Sequence, residues 1–249
     1  MKLENVILKR DNKTIYLDGD YKIKVFDETV TKADVLHEAL NQACVEETGL
    51  NVPAIIDVEC IDGKWSIVSE YIKGKTFEQL MEENPDKADE YLETMVDLHI
   101  EIFSKPCRIM NRLHDKLSGK IMQSELDAIT RFDLHRKIVG MPDRSKICHG
   151  DFTPSNITMA EDGKIYVIDW SHAAQGNAPA DVVRTCLYMR LDGKKDMADK
   201  YLKLFIEKSG QAEDYVYKWF PIVVAAMSVD VKDEDRDKLL DWVRNSDFN

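Results

Sequence analysis

The chain has 249 residues, of which 44% are hydrophobic and 32% are charged, and its formal net charge is −12. These fractions are typical of a folded globular protein, and the length allows a core that needs no disulfide support. The acidic excess argues against a nucleic-acid-binding protein, because phosphate contacts need a basic surface, and it favours cationic ligands instead.

Cysteine usage and apolar runs exclude several further classes. The five cysteines are odd in number and lack the spacing of a zinc ribbon or a disulfide framework, so we expect reduced, buried thiols. No apolar run approaches the length of a membrane span, and the first five residues contain no apolar signal core. We therefore expect a cytoplasmic protein, monomeric or dimeric, that binds neither a membrane nor nucleic acid.

The first third of the chain is predicted to form a small antiparallel sheet with one helix. Asp-Gly turn signals at positions 18–20 and 62–63 lie between strand-like runs and predict hairpins over residues 14–26 and 55–72. Between these hairpins, Thr31 and the Asp34 that follows it form the capping box of a helix, which Gly49 ends.

Beyond Gly74 the apolar residues recur at the three- and four-residue spacing of helices. Helices are predicted over residues 78–81, 88–103, 124–138, 181–190, 195–208 and 233–243. One more hairpin turns at Asp162-Gly163. The sequence thus predicts an α+β, bilobal protein: a small antiparallel N-terminal lobe, residues 1–73, and a larger, mostly helical lobe, residues 74–249. A cleft between two lobes is a natural ligand site.

The segment from His149 to Asn156 carries the pattern H-x-D, four further residues and Asn, and Asp169 follows thirteen residues later. If the hairpin has a two-residue turn at Asp162-Gly163, Asn156 lies opposite Asp169, with Cβ atoms about 5 Å apart. An amide oxygen and a carboxylate there are suitable ligands for Mg²⁺. The alternative is that these residues are ordinary turn formers before a hairpin.

Asp151 lies on the loop that leads into this hairpin. A carboxylate there can accept the proton of an attacking hydroxyl or orient it. His149, on the same loop, is expected to brace the backbone by hydrogen bonds rather than to transfer protons.

A lysine on the first sheet is a candidate phosphate ligand. Lys24 alternates with apolar neighbours along its strand, and Glu38 on the next helix is the obvious carboxylate to hold its ammonium group. Lys22 shares the same face, so periodicity alone does not separate the two lysines. The alternative is an unrelated lysine and glutamate on the surface.

Taken in order, these motifs resemble the aminoglycoside phosphotransferase and choline kinase family of small-molecule kinases, which has a protein-kinase-like fold. The resemblance extends over nearly the whole chain and is most specific in the segment 148–156 and at Ile168-Asp169-Trp170. It implies ATP, with GTP as the alternative nucleotide, and Mg²⁺ as cofactors. The resemblance implies that Lys24 holds the nucleotide phosphates and is positioned by Glu38, and that backbone groups of Glu70, Tyr71 and Ile72 bind adenine. It implies that Asn156 and Asp169 bind Mg²⁺. It also implies that Asp151 is the catalytic base and that Asp181 holds the loop that carries Asp151.

Two features bear on these implied roles. Asp181 is equally suited to be the N-cap of the helix that follows it. The family's nucleotide-covering turn often contains glycine, whereas residues 10–13 here are Arg-Asp-Asn-Lys. The missing glycine favours an alternative function, a catalytically weak or inactive nucleotide-binding regulatory protein.

A protein kinase is disfavoured, because only 11 residues separate Asp169 from Asp181, too few for a long activation loop.

The acceptor is predicted to be a small molecule with a hydroxyl and an amine, aminoglycoside-like or choline-like. Asp230, Asp233 and Glu234 are candidates for an acidic wall that contacts such a cation, and Trp170 is a candidate aromatic contact. The alternative for the carboxylates is a solvated helix face whose acidic first turn favours the helix dipole.

Overall fold

The computed structural model describes residues 3–10, 12–107 and 110–245, and Asp11 of the glycine-free turn lies outside them. The strands in this part are β1 (Val6–Arg10), β2 (Lys13–Asp18), β3 (Tyr21–Phe26), β4 (Ile55–Ile61), β5 (Lys64–Glu70), β6 (Gly74–Thr76), β7 (Lys146–Cys148), β8 (Ile157–Ala160), β9 (Ile165–Val167) and β10 (Ala174–Gly176). The helices are α1 (Lys32–Glu46), α2 (Phe77–Glu83), α3 (Ala88–Ser104), α4 (Leu113–Gln123), α5 (Ala128–Gly140), α6 (Ala178–Leu191), α7 (Lys195–Ser209), α8 (Glu213–Tyr217), α9 (Phe220–Met227) and α10 (Asp233–Asn245).

These elements form two compact units. The sheet unit consists of Met1–Pro85 and Pro154–His172, and the helical unit consists of Asp86–Thr153 and Ala173–Asn249. None of the described helices combines the length and the apolar character that crossing a membrane requires. The cysteines have free thiols, and four are buried, but Cys60 is exposed, which differs from the expected burial.

The sheet unit is built on five antiparallel strands in the order β1-β2-β3-β5-β4. Both predicted N-terminal hairpins are present, with Asp18 opposite Tyr21 and Ile61 opposite Lys64. In the second turn Asp62 and Gly63 both have positive φ, 49° and 80°, as a two-residue turn between twisted strands requires.

Helix α1 packs on this sheet as its sequence predicts. The Thr31 side chain accepts a hydrogen bond from the Asp34 N–H, and Asp34 returns one to the Thr31 backbone, so the capping box is formed. On the face toward the sheet, Val35 and Ala39 join a buried cluster with Phe26 and Ile67. This packing fixes the helix that carries Glu38 against the strand that carries Lys24.

The third hairpin differs from the prediction by one residue of register. Ile157 lies opposite Val167, and the Ile168 N–H donates to the Asn156 oxygen at 2.9 Å, so Asn156 is not directly opposite Asp169. The cause is the turn: the Ala160 N–H donates to the Lys164 oxygen at 2.8 Å, which leaves a three-residue loop with Gly163 at φ 82°. A three-residue loop with glycine in the left-handed region is the second common hairpin type.

The helical unit consists of the remaining helices and the two-stranded sheet of β7 and β10. The predicted inward face of α3 is buried, including Leu92, Met95 and Val96. Helices α4, α8 and α9 were not predicted. Every residue of α9 is buried, so its apolar run has no polar face and no helical period.

Candidate functional site

A buried lysine on β3 lies between two carboxylates. The Nζ of Lys24 is 2.5 Å from Oε1 of Glu38 and 3.2 Å from Oδ1 of Asp169. The side chain of Lys24 is 8% exposed and that of Glu38 is 16% exposed, so the alternative of an unrelated surface pair is wrong. The structure also distinguishes the two lysines of β3, because the ion pairs are made by Lys24.

Burial and charge set the protonation of this cluster. Desolvation opposes the charged form of Lys24, but Asp169 and Glu38 outweigh it and raise the pKa of the ammonium group. Burial also opposes ionisation of Asp169, whereas Lys24, with Lys13 and Lys22 nearby, holds the pKa of that carboxyl far below its usual range. Asp169 is therefore a carboxylate at neutral pH and available to a cation.

The backbone of Asp169 is in the left-handed region, with φ 60°. This conformation is uncommon for a residue other than glycine, although Asp and Asn tolerate it best. Asp169 lies two residues after the end of β9, so the backbone turns at the residue whose carboxylate meets Lys24. Strain of this kind concentrates at functional sites.

Two further lysines enlarge the positive charge around Lys24. Lys22 shares a strand face with Lys24, because alternate residues of β3 point to the same side. Burial, with the charge of Lys24, lowers the pKa of Lys22 to about 8, and the same two causes lower the pKa of Lys13. Three ammonium groups are thus close enough to interact with only two carboxylates, Glu38 and Asp169. This excess of positive charge favours binding of an anion such as phosphate.

The candidate metal ligands lie at the same end of the β8–β9 hairpin. Asn156 ends the 3₁₀ turn before β8, and Asp169 follows β9. An amide oxygen and an ionised carboxylate are hard donors, and Mg²⁺ is bound by one or two carboxylates together with phosphate oxygens and water. This donor set fits Mg²⁺. In the described part of the chain no group of three or more His, Cys, Asp or Glu residues is placed to hold a metal ion.

Two of the three residues expected to bind adenine already use their backbone N–H groups in hydrogen bonds within the sheet unit. The Glu70 N–H donates to the Ala54 oxygen at 2.9 Å, and the Tyr71 N–H donates to the Asp20 oxygen at 2.8 Å. For the Ile72 N–H the described residues provide no partner. Of the three predicted residues, Ile72 is therefore the one with a backbone donor to offer to a base.

In the helical unit, Asp181 holds the loop of residues 149–153, which we call the Asp151 loop. Its Oδ2 accepts from the His149 N–H at 2.6 Å, and its Oδ1 accepts from the Gly150 N–H at 2.8 Å. The N-cap alternative for Asp181 is wrong, because α6 begins earlier and its N-cap is Asn177. The Asp151 N–H donates to Nδ1 of the fully buried His149 at 3.2 Å, which is the bracing contact expected of that histidine.

A buried histidine and tyrosine extend this network. Nε2 of His99 lies 3.1 Å from Oδ2 of Asp181, and its Nδ1 is hydrogen bonded to the Tyr201 hydroxyl. Burial lowers the pKa of His99 although Asp181 opposes this, so the ring is neutral. Because a carboxylate only accepts, Nε2–H donates to Asp181 and the Tyr201 O–H donates to Nδ1. Sequence reasoning placed His99 on the inward face of α3 but missed this network, since its partners are 82 and 102 residues away.

The predicted acidic wall is largely neutralised. Asp230 pairs with Lys120 and with Arg184, whose Nη2 is 3.3 Å away. The side chain of Asp233 is 89% exposed and pairs with Arg236 at 2.8 Å. Glu234 is also exposed in the acidic first turn of α10. These contacts favour the solvated helix face and do not support a wall for cations.

Trp170 does not provide an aromatic surface for a substrate. Its side chain is 1% exposed, and its Nε1–H donates to the Val167 oxygen at 3.0 Å. Trp170 therefore packs inside the sheet unit, and the expected contact with a substrate is not supported.

Comparison with known proteins assigns a family. Residues 6–215 match the model of the phosphotransferase enzyme family, APH. A comparison with curated protein sequences finds no match.

Several solved structures share the fold. A thermostable variant of aminoglycoside phosphotransferase APH(4)-Ia, in complex with AMP-PNP and hygromycin B, has a TM-score of 0.68 at 13% identity and covers 96% of this chain and 89% of its own. Choline kinase LicA from Streptococcus pneumoniae has a TM-score of 0.65 at 13% identity, with 98% and 95% covered. ADP-bound aminoglycoside phosphotransferase APH(2'')-Ib has a TM-score of 0.63 at 18% identity, with 95% and 91% covered. The chain belongs to the phosphotransferase enzyme family and has the α+β, kinase-like fold of aminoglycoside phosphotransferases and choline kinase.

Proposed function

We propose that the protein is an ATP-dependent phosphotransferase that moves the γ-phosphoryl group to a hydroxyl of a small molecule. The observation that carries the proposal is the buried Lys24 held between Glu38 and Asp169. A buried ammonium group fixed by carboxylates is the arrangement that binds nucleotide phosphates in kinases. Membership of the phosphotransferase family supports the same reaction class.

The sheet unit supplies the nucleotide-binding residues in this proposal. Lys24 binds phosphate oxygens and Glu38 keeps its ammonium group in place, while Lys22 and Lys13 add positive charge. The Ile72 N–H is the backbone donor proposed for the adenine. Asn156 and Asp169 would hold Mg²⁺, which supplies charge neutralisation on the transferring phosphate when it is bound.

The helical unit supplies the group that acts on the acceptor. Asp151 orients the hydroxyl and accepts its proton, and Asp181 with His149 fixes the backbone that leads into it. Positioning and electrostatic stabilisation account for most of the catalysis in phosphoryl transfer. The expected amine on the acceptor has no support in the acidic residues, because Asp230 is already paired.

A second candidate is a nucleotide-binding regulatory protein without turnover. The absence of glycine from residues 10–13 favours it. The additional lysines beside Lys24 weaken this argument, because they provide phosphate contacts that do not depend on a glycine-rich turn.

The test combines nucleotide binding with turnover. Thermal unfolding is compared with ATP alone and with MgATP, and ADP release is measured with a panel of small alcohols. A kinase is stabilised more by MgATP and releases ADP in the presence of an acceptor; Asp151→Asn keeps the MgATP shift and loses turnover. The exposed Asp196 of α7 provides the matched control, Asp196→Asn. Stabilisation by MgATP without ADP release from any alcohol would favour the regulatory protein, and turnover that survives in Asp151→Asn would contradict the mechanism.

A further inference from the structure

An arginine on α6 contacts the backbone of the Asp151 loop. The Nε of Arg184 donates to the Gly150 oxygen at 2.6 Å. Asp181, three residues earlier on the same helix, accepts from the Gly150 N–H at 2.8 Å. Residues three apart lie on the same face of a helix, so one face of α6 binds both the N–H and the oxygen of Gly150. All of these groups belong to the helical unit.

The contact fixes the peptide group that immediately precedes Asp151. This group consists of the Gly150 C=O, which Arg184 holds, and the Asp151 N–H, which donates to Nδ1 of His149 at 3.2 Å. Gly150 has a φ of 81°, in the left-handed region that glycine enters without strain, and it has no side chain to restrict the backbone. The orientation of this peptide group is therefore set by its hydrogen bonds rather than by local backbone sterics.

Arg184 is itself held in place. Its side chain is 12% exposed, and its Nη2 donates to the Tyr188 oxygen at 2.9 Å and to Oδ2 of Asp230 at 3.3 Å. Tyr188 lies one turn further along α6, and Asp230 also pairs with Lys120 of α4. A guanidinium group is planar and presents its N–H groups in a fixed fork, so anchoring Nη2 also directs the Nε–H. Arg184 is thus preorganised to hold the Gly150 oxygen.

The hydrogen bond to Gly150 is charge-assisted. Burial opposes the charged form of Arg184, but Tyr188, Asp230 and Asp151 outweigh it and raise the pKa of the guanidinium group. Hydrogen bonds with an ionised donor are roughly twice as strong as those between neutral groups. Arg184 therefore restrains the loop more firmly than a neutral side chain in its place.

We propose that Arg184 is a positioning residue for phosphoryl transfer, which directs the carboxylate of Asp151 by holding the Gly150 oxygen. The proposal rests on the proposed function, in which Asp151 acts on the acceptor hydroxyl. It assigns to Arg184 an effect on kcat and no part in nucleotide binding, since the residues proposed for the nucleotide belong to the sheet unit. The alternative is that Arg184 only joins α6 to the segment that carries Asp230.

The first test measures the mobility of the loop without turnover. Amide hydrogen exchange of residues 149–153 is followed by mass spectrometry, without nucleotide or acceptor. Arg184→Met should raise the exchange rate of this segment by about tenfold and leave that of α3 unchanged, because one charge-assisted hydrogen bond to the loop is lost. Arg136→Met, at an exposed arginine of α5, is the matched control and should change neither rate. Unchanged exchange of the loop in Arg184→Met, or an equal increase in α3, would overturn the proposal.

The second test measures steady-state kinetics with an alcohol that supports ADP release. Arg184→Met should lower kcat by about a hundredfold, the cost of displacing a catalytic group by about 1 Å, and change KM for ATP by less than about twofold. Arg184→Lys keeps the charge but lacks the fork that reaches Gly150 and Asp230 together, so its kcat should stay at least about tenfold below the wild type. Full kcat in Arg184→Lys would show that charge alone suffices and would overturn the role of the hydrogen bond.

Asp230→Asn separates loop positioning from helix packing. This variant keeps an oxygen acceptor for Nη2 and leaves the contact with Gly150 in place, so kcat should fall by less than about threefold. A loss of kcat as large as that of Arg184→Met would support the packing alternative and overturn the proposal. If Arg184→Met does not fold, Arg184→Gln provides the same comparisons. Absence of ADP release from the wild type would contradict the proposed function, and hydrogen exchange would still decide whether Arg184 holds the loop.

Discussion

Lys24 and Glu38 form an ion pair with a distance of 2.5 Å between Nζ and Oε1, although they belong to a strand and to the helix that follows it. The pair exists because Val35 and Ala39 pack that helix on Phe26 and Ile67 of the sheet. The position of the ammonium group therefore depends on hydrophobic packing as much as on charge. The same strand and helix therefore carry both the core residues and the ion pair.

Replacing Glu38 tests this dependence. Glu38→Gln keeps the shape and loses the charge, so Lys24 remains paired only with Asp169. The expected result is a rise of about tenfold in KM for ATP and a loss of stability of about 1–3 kcal/mol, since a buried ammonium group loses part of its compensation. Initial rates against ATP concentration and thermal unfolding measure the two effects. Glu207→Gln, in an exposed pair with Lys203, should change neither quantity; an unchanged KM in Glu38→Gln would contradict the role of Glu38.

The left-handed backbone of Asp169 makes two substitutions there differ. Asn tolerates φ 60° and Ala does not, so Asp169→Asn should be the more stable of the two by about 1 kcal/mol. Both remove the carboxylate, so both should lose turnover and the additional stabilisation that Mg²⁺ gives to ATP binding. Thermal unfolding with ATP, with and without Mg²⁺, measures this. A wild-type Mg²⁺ effect in Asp169→Asn would show that Asp169 is not a ligand.

The sequence predicts local features best where a short pattern determines them. The capping box at Thr31, the two-residue turns and the H-x-D segment need only neighbouring residues, and the first two are present as predicted. The register of β8 and β9 was wrong by one residue, because Asp-Gly occurs in both two-residue and three-residue loops. That difference is decided by one hydrogen bond, between Ala160 and Lys164, which the sequence does not specify.

The sequence did not allow us to predict contacts between residues that are far apart along the chain. The network of His99, Asp181 and Tyr201 joins three helices, and no local pattern indicates that they meet. The acidic residues near position 230 were noticed because they are close in sequence, but their counter-ions are not.

The Tyr201 hydroxyl offers a test of the network that leaves the charged groups in place. Tyr201→Phe removes the donor to Nδ1 of His99 and leaves a buried acceptor unsatisfied, at a cost of about 1–3 kcal/mol. Because His99 supports Asp181 and Asp181 holds the Asp151 loop, kcat should fall several-fold while KM for ATP stays constant. Thermal unfolding and steady-state kinetics measure the two effects. Tyr217→Phe, at a residue that is 49% exposed, is the control. A loss of stability with full kcat would limit the network to a structural role.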